Sequence, residues 1–168
     1  MVDVSGALKN PGSVFPFRAV LSFDPCEVIG EELTFTDAVL EGEFFGADET
    51  ISVRARLTAN VHAHCCRCLT EVTYPIDTEA EADFSRSGDG EDVYGFTGHQ
   101  IDVKPAAFEA LLLELPISFV CSEDCKGLCP VCGKNRNLSL CTCLEGAVKP
   151  NPFSALSSLL NDHNNEEV

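Results

Sequence analysis

Eight of the ten cysteines in this chain fall into four close pairs: Cys65/Cys68, Cys121/Cys125, Cys129/Cys132 and Cys141/Cys143. Cysteines spaced in this way serve either disulfide cross-links or metal, and the redox compartment decides between them. Met1 to Pro16 lacks a basic flank followed by an apolar run, and no segment approaches the roughly 20 apolar residues of a membrane span. The expectation is a soluble, cytoplasmic protein with no membrane partner, whose thiols stay reduced and bind metal. Disulfides stay open for a hyperthermophilic source.

Zinc takes four thiolates in a tetrahedron, and a close pair on a turn supplies two adjacent corners. Cys129-Pro130-Val131-Cys132-Gly133 has the form of a zinc knuckle. Proline sets the first φ, and glycine permits the positive φ needed after the second ligand. Cys141-Thr142-Cys143 follows at loop-closure distance, which makes Cys129, Cys132, Cys141 and Cys143 one site. The remaining pairs, Cys65/Cys68 and Cys121/Cys125, complete a second site that would staple the cysteine-rich lobe to the rest of the fold. Two zinc ions are expected. One ion held by a different four of these thiols, or a [4Fe–4S] cluster, meets the same requirement, and both stay open. His62 and His64 adjoin Cys65 and are substitute ligands, though exposed strand imidazoles are the simpler reading. A redox role for Cys65/Cys68 would need a helix N-terminus to lower the thiol pKa, and this pair sits instead at a hairpin tip. Cys26 and Cys66 read as ordinary thiols.

The chain, at 168 residues and 45% apolar, can bury one ordinary core. Residues 1–84 read mainly as antiparallel β. The odd positions of Phe15–Phe23 are apolar. Ile51, Val53, Ala55, Leu57, Ala59, Val61 and Ala63 face inward, as do Val72, Tyr74, Ile76, Ala80, Ala82 and Phe84. Between Leu33 and Phe45 the phase changes, which predicts a bulge near Thr36-Asp37. Gly46 to Glu49 reads as a turn. Residues 85–100 read as a flexible loop and 101–116 as a helix, with Asp102 as N-cap, Pro116 as stop, and Ala106, Leu111, Leu112, Leu113 and Leu115 as its apolar surface. A zinc lobe over 117–148, a C-terminal helix over 149–160 opened by Asn151-Pro152, and a tail over 161–168 complete the reading. The expected fold is a single α+β domain over 1–168: an antiparallel β-sheet with a covering helix, a zinc-stapled cysteine-rich lobe and a short C-terminal helix.

The sequence lacks a phosphate-binding glycine loop, a nucleophile elbow and a His-Glu-x-x-His helix, so neither an enzyme nor a small-molecule substrate is expected. Acids outnumber bases by 27 to 11 and the formal charge is -16, which repels nucleic acid at long range. Nine acids and no Lys or Arg lie strictly between Ala19 and Val53. These acids read first as a solvated face. Glu41, Glu43 and Glu49 are the candidates for a protein-binding surface.

Three blocks carry a resemblance. Cys65-Cys66-Arg67-Cys68-Leu69 follows an alternating strand, Cys121 to Asn135 forms a long cysteine-rich block, and Lys149-Pro150-Asn151-Pro152-Phe153 precedes Leu156 and Leu159. On these the chain resembles the YceD-like family, the large ribosomal RNA accumulation proteins of bacteria and plastids. Two features depart from the pattern: Arg136 stands where an aliphatic residue is expected, and Cys66 is a third cysteine in the turn. The resemblance implies a non-enzymatic accessory role in large-subunit ribosomal RNA accumulation or maturation. Its partner is then that RNA, its precursor or a ribosomal protein. If RNA is touched, Arg54, Arg56, Lys126, Lys134, Arg136 and Lys149 are the candidate contacts. The alternative is a zinc-stabilised adaptor whose acidic face binds a basic ribosomal protein. With zinc in two four-thiolate sites the charge moves to roughly -20, which favours that protein partner.

Overall fold

Alternating apolar residues produce a sheet with one buried and one solvated face. The structure, a computed structural model, describes residues 1–28, 30–47, 50–88 and 93–143. The elements in chain order are β1 Val2–Asp3, α1 Ser5–Lys9, β2 Val14–Leu21, β3 Cys26–Val28, β4 Glu31–Ala47, β5 Thr50–His64, β6 Glu71–Ser85, β7 Val93–Gly95, β8 Gln100–Ile101 and α2 Lys104–Glu114. The main sheet runs β2-β4-β5-β6-β7, with β3 paired to β4, and β1 and β8 form a separate ribbon. All pairings are antiparallel except β6 with β7. The chain divides into two compact units, Met1–Cys125 and Lys126–Val168.

In the first unit β5 is the central strand. Ile51, Leu57 and Val61 are fully buried, and each such side chain contributes about 1.5–3 kcal/mol. The expected change of phase in β4 is real: the β4–β5 register shifts between Thr36 and Val39. Asp37 takes a left-handed φ of 53° there, and its carboxylate accepts a hydrogen bond from Asn60 Nδ2 at 3.2 Å. The shift restores Ala38, Leu40 and Phe44 to the core face.

Beside β6, α2 buries Ala107 and Leu111, while Phe108 packs against Phe23 and Phe35 at centroid distances of 5.3 and 5.9 Å. Leu115 turns to the extended conformation ahead of Pro116, so the helix ends at Glu114, two residues short of the expected 116.

Several expectations are corrected. Asp102 does accept the Lys104 N–H at 3.1 Å, but the helix begins one residue later than an Asp102 N-cap would place it, with Val103 in the cap position. Leu113 is 87% exposed, because two residues from Leu111 is the far side of a helix. Tyr74 is 39% exposed, its ring meeting Phe119 edge-on. The 85–100 stretch contains β7 and buried Phe96, and the Tyr94 ring meets Phe84 at a tilt with centroids 5.3 Å apart, so its aromatics pack into or against the core. Of the expected Gly46 to Glu49 turn, Gly46 and Ala47 belong instead to β4 and pair with Ile51 and Thr50. Asp48 and Glu49, the C-terminal helix over 149–160 and the 161–168 tail lie outside the described residues.

Candidate metal centres

The β5–β6 hairpin closes with Cys65 to Thr70. The Leu69 N–H donates to Cys65 O at 2.9 Å, the Cys65 N–H donates to Thr70 O at 2.8 Å, and Leu69 has φ 58°. In the second unit the Gly133 N–H donates to Cys129 O at 2.8 Å, the Cys129 N–H donates to Lys134 O at 2.8 Å, and Gly133 has φ 71°. These are the same turn built twice. Glycine adopts the left-handed conformation freely, whereas leucine pays about 1–2 kcal/mol. Leu69 therefore hides a knuckle from a reader who looks for glycine.

Each knuckle meets a second cysteine pair. The thiols of Cys65, Cys68, Cys121 and Cys125 lie within 4.8 Å of one another, and so do those of Cys129, Cys132, Cys141 and Cys143. Individual separations are 3.8 Å for Cys65–Cys125, 3.6 Å for Cys68–Cys121, 3.5 Å for Cys132–Cys141 and 3.4 Å for Cys129–Cys141. A tetrahedron of zinc–sulfur bonds of about 2.3 Å has edges of about 3.8 Å. A disulfide would need about 2.05 Å. A four-iron cluster gives each thiolate its own iron and a wider spread of sulfurs. Each set can hold one tetrahedrally coordinated ion.

The thiols ionise unevenly. Burial opposes charge on Cys65, but backbone N–H groups of Cys121, Arg67 and Cys68 bring it down to about 6. The Thr70 hydroxyl, 3.3 Å from Cys68 Sγ, lowers Cys68 as well. Cys121 is pushed up to about 12 by its contacts with Cys125 and Cys68. N–H groups of Cys132 and Val131 lower Cys129 to about 6. At Cys141 the Cys143 N–H favours the thiolate, yet the sulfurs of Cys143, Cys129 and Cys132 together push it up to about 12. Four thiolates repel one another, and a divalent cation at their centre removes that repulsion.

Other residues complete the surroundings. Arg67 donates from Nη1 to Glu123 O at 3.0 Å and to Cys125 O at 3.4 Å, tying the 121–125 segment to the knuckle. Outer hydrogen bonds of this kind commonly change metal affinity 10- to 100-fold. Arg67→Met is expected to speed chelator-driven metal loss from one of the two clusters by about that factor. Loss from the cluster in the second unit should be unchanged; release kinetics with a chromogenic chelator measure both. In the second unit Asn137 Oδ1 accepts the Lys126 N–H at 2.8 Å, and Asn135 Oδ1 accepts the Asn137 N–H at 2.9 Å. These asparagines supply a polar frame that spacing of the cysteines did not reveal. The Arg136 side chain is exposed, and the Arg136 backbone N–H donates to Gly127 O, so no aliphatic packing is needed there. His64 Nδ1 is hydrogen-bonded to Glu31, and His62 lies between Thr36 and Thr73; neither joins a cluster.

The candidate partner-binding residues are distributed differently from the sequence picture. Arg54 and Arg56 stand on β5 between the acids of β4 and β6, with Glu43 and Glu81 opposite Arg54 and Glu41 and Glu79 opposite Arg56. Arg54 pairs with Glu81, Arg56 with Asp77 and Glu41 with Arg18. The basic spot and the acidic face are thus one interleaved surface. Lys126, Lys134 and Arg136 are exposed in the second unit, where the described residues contain no Asp or Glu. Glu49 and Lys149 lie outside the described residues.

Comparison with known proteins agrees with the cysteine pattern. The family model described as "Large ribosomal RNA subunit accumulation protein YceD" matches residues 53–160, a span that takes in both clusters. Uncharacterised proteins of Mycobacterium bovis and Mycobacterium tuberculosis are 30% identical over 146 residues, covering 79% of this chain and 68% of theirs. A maize protein, "Large ribosomal RNA subunit accumulation protein YCED homolog 1, chloroplastic", is 39% identical over 61 residues, covering 36% of this chain and 19% of its own. No solved structure matches. Among the described residues no helix is long and apolar enough to cross a membrane. With more than half its length matched by the family model, the chain belongs to the YceD family.

Proposed function

We propose that this chain is a non-enzymatic accessory factor for accumulation of large-subunit ribosomal RNA, acting in the cytoplasm, with a structural zinc ion in each four-cysteine cluster. The observation that carries the reading is the match to the YceD family model over residues 53–160. The donor chemistry supports zinc, because all-sulfur tetrahedral sites are its usual structural form. Cys65, Cys68, Cys121 and Cys125 would hold one ion, and Cys129, Cys132, Cys141 and Cys143 the other. Zinc held by four protein thiolates has no open position for a substrate, so it supplies cross-linking rather than catalysis.

The second reading, an adaptor for a basic ribosomal protein, is favoured by the net charge of -16 and by the pairing of Arg54 and Arg56 with acids. Direct RNA contact would fall mainly to Lys126, Lys134 and Arg136. The test is co-sedimentation with large-subunit precursors together with the ratio of large- to small-subunit ribosomal RNA in a deletion strain. The chain is expected to travel with the precursors, and its loss to lower the ratio. A free chain and an unchanged ratio would refute the ribosomal reading. Reversing Lys126, Lys134 and Arg136 to glutamate separates the contacts: it abolishes a steeply salt-dependent RNA interaction and spares a protein one.

A further inference from the structure

The two knuckles provide an internal reference. They share one hydrogen-bond pattern, yet the left-handed position is Gly133 in one and Leu69 in the other. The turn itself does not require a side chain there. Leu69 holds an apolar side chain 63% exposed, at a backbone cost that Gly133 avoids. Further apolar side chains lie on the segment that follows the knuckle and on the one hydrogen-bonded to it. Tyr74, 39% exposed, touches the Phe119 ring, and the adjacent Val120 is also 39% exposed. The Phe119 carbonyl accepts the Cys66 N–H at 2.9 Å, which joins this segment to the knuckle. Exposed Glu71, Glu123 and Asp124 flank the same two segments.

We infer that the Leu69 knuckle tip is the anchor of a docking surface for a basic protein segment that carries aliphatic side chains. This rests on the adaptor reading and moves its contact away from the sheet face, where Glu41, Glu81 and Asp77 already have arginine partners. A second copy of this chain is a poor occupant, because each carries a charge of -16. RNA is disfavoured by the three acids, against which the knuckle sets one cation, Arg67, turned to the Glu123 and Cys125 carbonyls. An aliphatic anchor beside acids instead matches a basic, partly apolar segment in both respects.

The test uses the zinc-loaded full chain and a fluorescent peptide of alternating lysine and leucine, with an alternating glutamate–leucine peptide and an oligouridylate as comparators. The chain should bind the lysine–leucine peptide and neither comparator. Leu69→Gly should keep the zinc content while weakening the peptide roughly tenfold or more, as expected for losing one buried leucine contact. Glu123→Gln with Asp124→Asn should weaken it in a salt-dependent manner, and Glu79→Gln with Glu81→Gln should not. Undiminished binding by Leu69→Gly, tighter binding of oligouridylate, or equal effects of the two acid pairs would overturn the inference. Leu69→Asn, which also tolerates the left-handed conformation, guards against misfolding; if neither variant holds zinc, the argument from the turn is wrong. Sedimentation separates this inference from the ribosomal reading. Leu69→Gly travelling with precursors like wild type sinks the docking surface alone, whereas failure of wild type to travel sinks the ribosomal role.

Discussion

Cys65→Ser is expected to lower the melting temperature of the metal-loaded protein by roughly 10 °C, with the loss confined to the first unit. Structural zinc binds small domains with about 10–16 kcal/mol of apparent free energy, and forfeiting even a quarter of it costs about 3 kcal/mol. For a chain of this size each kcal/mol shifts the midpoint by about 2–4 °C. Cys65 and Cys68 lie at the tip of a hairpin, and their partners Cys121 and Cys125 arrive from beyond α2, so the cluster closes a long loop within the sheet unit. Hydrogen exchange should rise around His64 to Glu71 and around residues 117–125. Cys129→Ser should raise exchange only over residues 126–143 and leave the midpoint of the sheet unit unchanged. Identical exchange maps for the two variants would show that the clusters are not independent.

Gly42→Ala should be nearly as damaging, for a purely steric reason. A Cβ at Gly42 would lie 2.2 Å from Arg54 O and 2.4 Å from Ala55 Cα, both backbone atoms of the adjoining strand. Neither atom can rotate aside, so β4 and β5 would have to part at the centre of the sheet. Overpacking of this kind costs about 3 kcal/mol or more, which predicts a midpoint lowered by roughly 6–12 °C. Gly12→Ala is the control: it has φ 80° and nothing within 4 Å, so only the conformational cost of about 1 kcal/mol applies. Thermal unfolding of both variants decides it, and equal midpoints would show that the strands yield.

The strands were legible because period-two alternation is a local signal that the core then enforces. Ile51 to Ala63 and the bulge beside Asp37 needed no tertiary knowledge. The β1–β8 ribbon was not legible, because Val2 finds its partner Ile101 almost a hundred residues away and neither strand exceeds two residues. Cysteine spacing marked four pairs, and the structure brings them together as two sets, one expected from the Cys129–Gly133 knuckle and its near neighbours and the other from elimination. What spacing could not reveal was cross-strand register, which seats Arg54 and Arg56 among glutamates rather than on a basic spot. It also could not reveal Leu69 in a conformation that ordinarily calls for glycine. Gly42 did carry a readable clue, since glycine inside an alternating strand often marks a close backbone approach.

Metal stoichiometry tests the central claim most directly. Native mass spectrometry of protein purified without chelators, read alongside elemental analysis, should find two zinc ions per chain, each released only when its cluster's thiols are modified. Cys68→Ser and Cys132→Ser should each retain one. One zinc in the wild-type chain, or iron with inorganic sulfide, would contradict the account of two independent four-thiolate zinc sites.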